Sequence, residues 1–380
     1  MSNSKDEIEI YLDENSFCSF PSVVLVDDNH VLVAFRKAGN FSLKAGSNNN
    51  PTHHDNDSCI CLISSTDGGQ SYNKDDVKIV TRFKEFGVSD PGISILKNGR
   101  MLLRSNVIQT EKSSNRNKIS AKITAHRPDL KTISAVVGQC IQYSDDLGKT
   151  WSDPEIINVS ESEDHFVSRE QIIQLEDDSL ICSAYTGYAH QADNCYLLRS
   201  WDNGLNWSDS SLIASDGEIN SSLFQAISFN ETSIVNIGKG ELLALIRGDS
   251  SYKSDDNYMA IGGIGNIYSS RSFNAGFSWT KPESIDIFGQ PPNVIKLKNG
   301  NLLCTYGYRK EPYSIKAIIS NDNGLSWNKN EIITIRDNAN FWDMGYPVSA
   351  ELPDGNILTV YYWIDKNSVR YITSNIWKIQ

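Results

Sequence analysis

Apolar residues fall in short β-rich runs separated by turn residues, and amphipathic helical periodicity is nearly absent. One pattern, apolar-x-turn-turn-x-apolar-apolar, recurs six times, at 26–32, 96–102, 175–181, 237–243, 297–303 and 352–358. Each copy predicts a hairpin between two strands. A second pattern, Ser-x-Asp-x-Gly-x-Ser/Thr-Trp or a close variant, recurs five times, at 65–72, 144–151, 200–207, 272–279 and 320–327. Its chemistry is that of a turn. Asp (Asn274 in the fourth copy) accepts backbone N–H bonds, Gly takes positive φ, and the terminal aromatic packs beneath.

Six first hairpins and five second turns predict six four-stranded blades. The missing turn follows if a strand from the other terminus completes the last blade. The expected fold is all-β, a six-bladed β-propeller with these boxes as blade turns, and residues 1–380 form one domain. Residues 48–51 and 112–122 read as loops within blades, and 126–129 with the basic stretch before it as a solvated excursion at the rim.

Composition narrows the partners. The 380 residues carry 35 Lys+Arg against 47 Asp+Glu, a net charge of -12, which disfavours nucleic acid because phosphate contacts need a basic surface. No apolar run is long enough for a membrane span. The first residues show no secretory leader, and the seven cysteines show no Cys-x-x-Cys spacing, so buried free thiols and a cytoplasmic location are expected. No cofactor motif or metal-ligand cluster is visible, and none is expected; His53-His54 lacks a matching third ligand. The oligomeric state is not legible.

In a propeller the first strand of each blade lines the axis. Counting back eight residues from the first turn residue of each hairpin gives Phe20, Asp90, Arg169, Glu231, Pro291 and Tyr346. Counting forward eight gives Arg36, Asn106, Tyr185, Arg247, Gly307 and Tyr362, with Arg309 close behind. One mouth should therefore gather Arg36, Arg169, Arg247 and Arg309 with Asp90, Glu231 and Tyr346. Such a local inversion of charge on an acidic protein points to an anionic ligand.

The boxes resemble the Asp boxes of the sialidase superfamily over nearly the whole chain. The boxes alone imply a fold rather than an activity. The mouth adds a closer similarity. Sialidases use a Tyr nucleophile, a Glu that activates it, and an Arg triad that grips the sugar carboxylate. The spacing from Glu231 to Arg247, the place of Arg309 before Ser320, and Gly345-Tyr346-Pro347 opening the sixth blade all match that pattern. The resemblance implies Tyr346 as nucleophile, Glu231 as its base, and Arg247 and Arg309 as carboxylate ligands. The acid/base lies by the same resemblance in the loop after the first hairpin, where Asp55 is the choice and His54 and Asp57 compete. Trp342 could wall the sugar face or pack between blades.

The pairing has a chemical reason. The anomeric carbon of a 2-keto acid sugar bears a carboxylate that repels an Asp or Glu nucleophile. A neutral phenol avoids the repulsion, but its ordinary pKa of about 10 calls for a neighbouring base and a positive field. One departure stands out. Cys18-Ser-Phe-Pro21 puts Ser19 where sialidases have their first triad Arg, leaving Arg36 to fill the gap. The expected function is an exo-glycoside hydrolase that removes a terminal sialic acid or related acidic sugar from glycans, with retention. The rivals are a polysaccharide lyase acting on a uronate polymer and a non-catalytic carbohydrate-binding propeller.

Overall fold

The computed structural model describes residues 7–39, 53–128, 130–157, 166–187, 192–207, 209–215, 225–254 and 257–379. The loop at 48–51 and Asp129 lie outside them. Among the described residues the chain forms six small sheets arranged as a six-bladed propeller. Blade 1 runs Phe17–Leu25, Val31–Ala38, Cys59–Ser65 and Lys78–Thr81 from axis to rim. Blade 6 runs Gly345–Glu351, Ile357–Ile364 and Arg370–Trp377, and its fourth strand is Glu7–Tyr11 from the N-terminal end. That strand pairs Glu7 with Asn375, so the ring cannot open without breaking this ladder.

The repeated hairpin pattern explains how the blades stick together. Its two adjacent apolar residues start the second strand of each blade, and strand alternation sends them to opposite faces. Leu302 packs in the cluster shared with blade 4 (Glu241–Ser254 and its neighbours), while Leu303 packs in the cluster shared with blade 6. Val31 and Leu32, Leu180 and Ile181, Leu242 and Leu243, and Ile357 and Leu358 divide in the same way. The core is thus a set of apolar layers, one between each pair of neighbouring blades.

The Asp boxes close the same interfaces at the outer ends. In the second box, Ser144 Oγ accepts from Gly148 N at 2.8 Å, and Asp146 Oδ1 accepts from Thr150 N at 2.9 Å. The box glycine is left-handed in every copy, with φ from 82° to 90°. A side chain there would also strike the preceding blade: a Cβ on Gly324 would lie 2.4 Å from Leu243, and one on Gly148 2.8 Å from Leu32. The glycine serves both the turn and the inter-blade contact.

The stretch expected as a solvated excursion keeps His126 and Pro128 exposed but is anchored by a paired strand and a few buried residues. Ala125–Arg127 pairs with Thr132–Ser144, and Ile119 and Ala121 are buried against Ile133 and Ala135. Those four apolar residues give the extension a small core of its own. Among the described residues, no helix is long and apolar enough to cross a membrane.

Candidate active site

Bulges aim the axial side chains. The inner strands slip register between Ser19 and Ser22, Ser89 and Gly92, Asn230 and Thr232, and Gly345 and Val348. Phe20, Asp90, Glu231 and Tyr346 sit within these slips. Phe20, Asp90 and Tyr346 have φ of 54°, 50° and 52°, and each precedes a proline. A left-handed residue in a bulge turns its side chain out of the pleat, here toward the axis. Such a conformation costs about 1–3 kcal/mol and is characteristic of functional sites.

Tyr346 and Glu231 meet there. The Tyr346 hydroxyl donates a short hydrogen bond to Glu231 Oε1, while Arg247 Nη1 donates to Glu231 Oε2 at 2.6 Å. Arg247 Nε also lies 2.8 Å from Asp249 Oδ2. Arg169 and Arg309 flank the phenol, their guanidinium carbons 4.8 and 5.5 Å from the Tyr346 ring centre. Arg169 Nη1 donates to Glu170 Oε1 at 3.0 Å. Arg309 donates through Nε and Nη2 to the Met344 carbonyl at 3.2 and 3.1 Å and lies 5.6 Å over the Trp342 ring.

Burial alone would raise the Glu231 carboxyl, but the Arg247 and Arg169 charges outweigh it and hold it below its ordinary value. Burial and the Glu231 charge push the Tyr346 phenol up, against Arg247 and Arg309. The resting pair is therefore a carboxylate accepting from a phenol. Burial and the Glu231 charge also raise Asp90, which accepts from Asn106 Nδ2 at 3.3 Å. Burial first, and then the nearby Glu231 and Asp90 carboxylates, raise the Tyr185 phenol well above the ordinary range.

The remaining sequence candidates are placed differently. Arg36 stands opposite Ser19 in register, wholly buried, and donates to Ser19 Oγ at 3.4 Å. It also pairs closely with Asp55, whose Oδ1 accepts from Asp57 N at 2.8 Å. Arg36 and Asp55 thus direct their charges at each other. Blade 1 offers the mouth an aromatic ring, Phe20, packed 4.7 Å from Tyr346. From the expected acid/base loop His53 reaches this ring cluster, 5.0 Å from Phe20 and edge-on. His54 is pushed down to about 4, by burial first and then by the neighbouring His53 and Arg36 charges.

Residues 126–359, more than half of the chain, match the family described as BNR repeat-like domain. The chain belongs to the BNR repeat-like family. Among solved structures, this BNR repeat-like protein resembles a protein of unknown function from Dyadobacter fermentans, at 21% identity and a TM-score of 0.80 over 100% of this chain and 99% of that one. It resembles the NanB sialidase of Streptococcus pneumoniae at 12% identity and a TM-score of 0.66, over 100% of this chain and 71% of that one. A leech intramolecular trans-sialidase matches at 14% identity and a TM-score of 0.66, over 100% and 70%. At these identities the likeness establishes the propeller fold, shared with sialidases. No curated protein matches the BNR repeat-like chain.

Proposed function

We propose that this protein is an exo-acting glycoside hydrolase that releases a terminal sialic acid or related acidic sugar with retention of configuration. The observation that carries the reading is the buried Tyr346–Glu231 hydrogen bond set among Arg247, Arg169 and Arg309. Tyr346 attacks the anomeric carbon while Glu231 takes the phenolic proton. Arg309, bound in the resting site to a backbone carbonyl, receives the sugar carboxylate together with Arg247. Once Arg247 shares its charge with that carboxylate, it stabilises the Glu231 anion less. Glu231 then becomes the stronger base at the moment when it is needed. Arg169, over the phenol ring, favours the phenolate that develops.

The exchange of the first triad Arg for Ser19, with Arg36 beside it paired to Asp55, has a consequence. With Ser19 at that position, the carboxylate is held by two Arg ligands rather than three. At roughly 1.5–3 kcal/mol for a charge-assisted hydrogen bond, binding is about ten- to a hundredfold weaker than a full triad would give.

The test is a hydrolysis screen of the purified protein over fluorogenic ketosides of sialic acid, its deaminated analogue and other nonulosonic acids. Release of fluorophore from at least one, with the first-formed sugar in the anomeric configuration of the substrate by NMR, is expected. Release from none, or inversion, overturns the reading.

A further inference from the structure

We propose that His53, oriented by Asp343, is the group that gives the proton to the leaving oxygen and takes it back from water, a role that rests on the hydrolase reading above. His53 Nε2 lies 3.1 Å from Asp343 Oδ1. Asp343 is fully buried and accepts further hydrogen bonds from Tyr362 Oη at 2.9 Å and Arg370 Nε at 3.0 Å. Burial would raise this carboxyl, but the His53, Arg370 and Arg309 charges hold it well below the usual carboxylate range. An ionised carboxylate only accepts, so Nε2 must carry the hydrogen and the exchangeable proton sits at Nδ1.

The surroundings fit the task. The His53 side chain is 28% exposed, at the mouth, whereas Asp343 behind it is closed to solvent. Its ring packs on Phe20, which packs on Tyr346, so a single aromatic ring separates the imidazole from the nucleophile's ring. Asp343 is two residues before Gly345, where the strand carrying Tyr346 begins. A single residue, Met344, therefore joins the residue that orients the imidazole to the strand that presents the nucleophile. Asp55, by contrast, is 2% exposed and paired with Arg36.

The steps balance. In the first, the Tyr346 oxygen bonds to the anomeric carbon, the bond from that carbon to the leaving oxygen breaks, and the electron pair goes to that oxygen. The proton on His53 Nδ1 passes to the leaving oxygen, and the phenolic proton passes to Glu231. In the second, a water oxygen bonds to the anomeric carbon and the bond to Tyr346 breaks. His53 Nδ1 takes a water proton, and Glu231 returns its own to the phenolate. Asp343 keeps its charge throughout and acts as a positioning residue.

The experiment compares two ketosides of the same acidic sugar, one with 4-nitrophenol as leaving group and one with a sugar alcohol. A poor leaving group needs the proton and a good one does not. His53→Ala and His53→Gln are expected to lose about 10²–10⁴-fold in kcat/KM on the sugar-linked substrate. The same variants should lose less than about tenfold on the nitrophenyl substrate, and Asp343→Asn should show the same asymmetry at smaller size. Equal losses on both substrates, or no loss on either, overturn the role of His53. Failure of the unaltered protein to hydrolyse either ketoside overturns the hydrolase reading itself and takes the dyad's role with it.

Discussion

Tyr346 donates its hydrogen bond to Glu231 across 115 positions of sequence, joining the first strand of blade 6 to the first strand of blade 4. The two residues share one kind of backbone setting, a register slip in an inner strand, and it is the slip that turns both side chains to the axis. A propeller supplies six such inner strands around one mouth. That geometry brings groups far apart in the chain to one place.

Arg309 should govern substrate capture. Its two hydrogen bonds in the resting site go to a carbonyl, a partner that a carboxylate can replace. Arg309→Met is expected to lower kcat/KM about ten- to a hundredfold, chiefly through KM. Steady-state kinetics on the best ketoside of the screen would check this. An unchanged KM would remove Arg309 from the carboxylate site.

The Arg36–Asp55 pair should behave as a buried structural unit. Both side chains are closed to solvent, at 0% and 2% exposure. Asp55→Ala leaves the guanidinium uncompensated, and a cost of about 3–5 kcal/mol in urea unfolding is expected. Arg36→Met with Asp55→Leu should cost less than the sum of the single changes. Additive costs would show that the two charges do not depend on each other.

His54 should make the fold sensitive to mild acid. Its imidazole is pushed down to about 4 in the folded protein, by burial above all, against about 6.5 in an unfolded chain. Between those values the unfolded chain binds a proton that the folded chain does not, so stability falls as pH drops through this window and stops falling below about 4. Melting temperatures from pH 7 to 4 should decline less steeply in His54→Gln. Identical slopes would contradict the assignment.

The hairpins, the closing strand and the blade count were legible because each repeats a local rule. Leu302-Leu303 and its counterparts combine a turn signal with two residues that must face opposite ways, and the surplus hairpin in blade 6 calls for a partner from elsewhere. Tyr346, Glu231 and Arg247 could be located because they sit at fixed counts from those hairpins, and Arg309 because it lies just past such a position and shortly before the last box. The proline after Phe20, Asp90 and Tyr346 was an available sign that the backbone leaves the regular pleat there. His53 and Asp343 carry no such sign. They stand in segments with no strand period, where side-chain direction depends on tertiary neighbours such as Phe20 and Arg370. The Arg36–Asp55 pairing was hidden for a related reason: spacing locates a charge near the axis but does not tell whether a buried counter-ion already holds it.

In the proposed reaction the Tyr346 oxygen becomes bonded to the sugar. The most direct test is mass spectrometry of the protein after incubation with a 3-fluoro sialosyl fluoride, which forms the tyrosyl intermediate and slows its hydrolysis. One added sugar mass is expected, mapped to the peptide containing Tyr346 and absent from Tyr346→Phe. An adduct on another residue, or continued hydrolysis of the fluorogenic substrate by Tyr346→Phe at the unaltered rate, would contradict it.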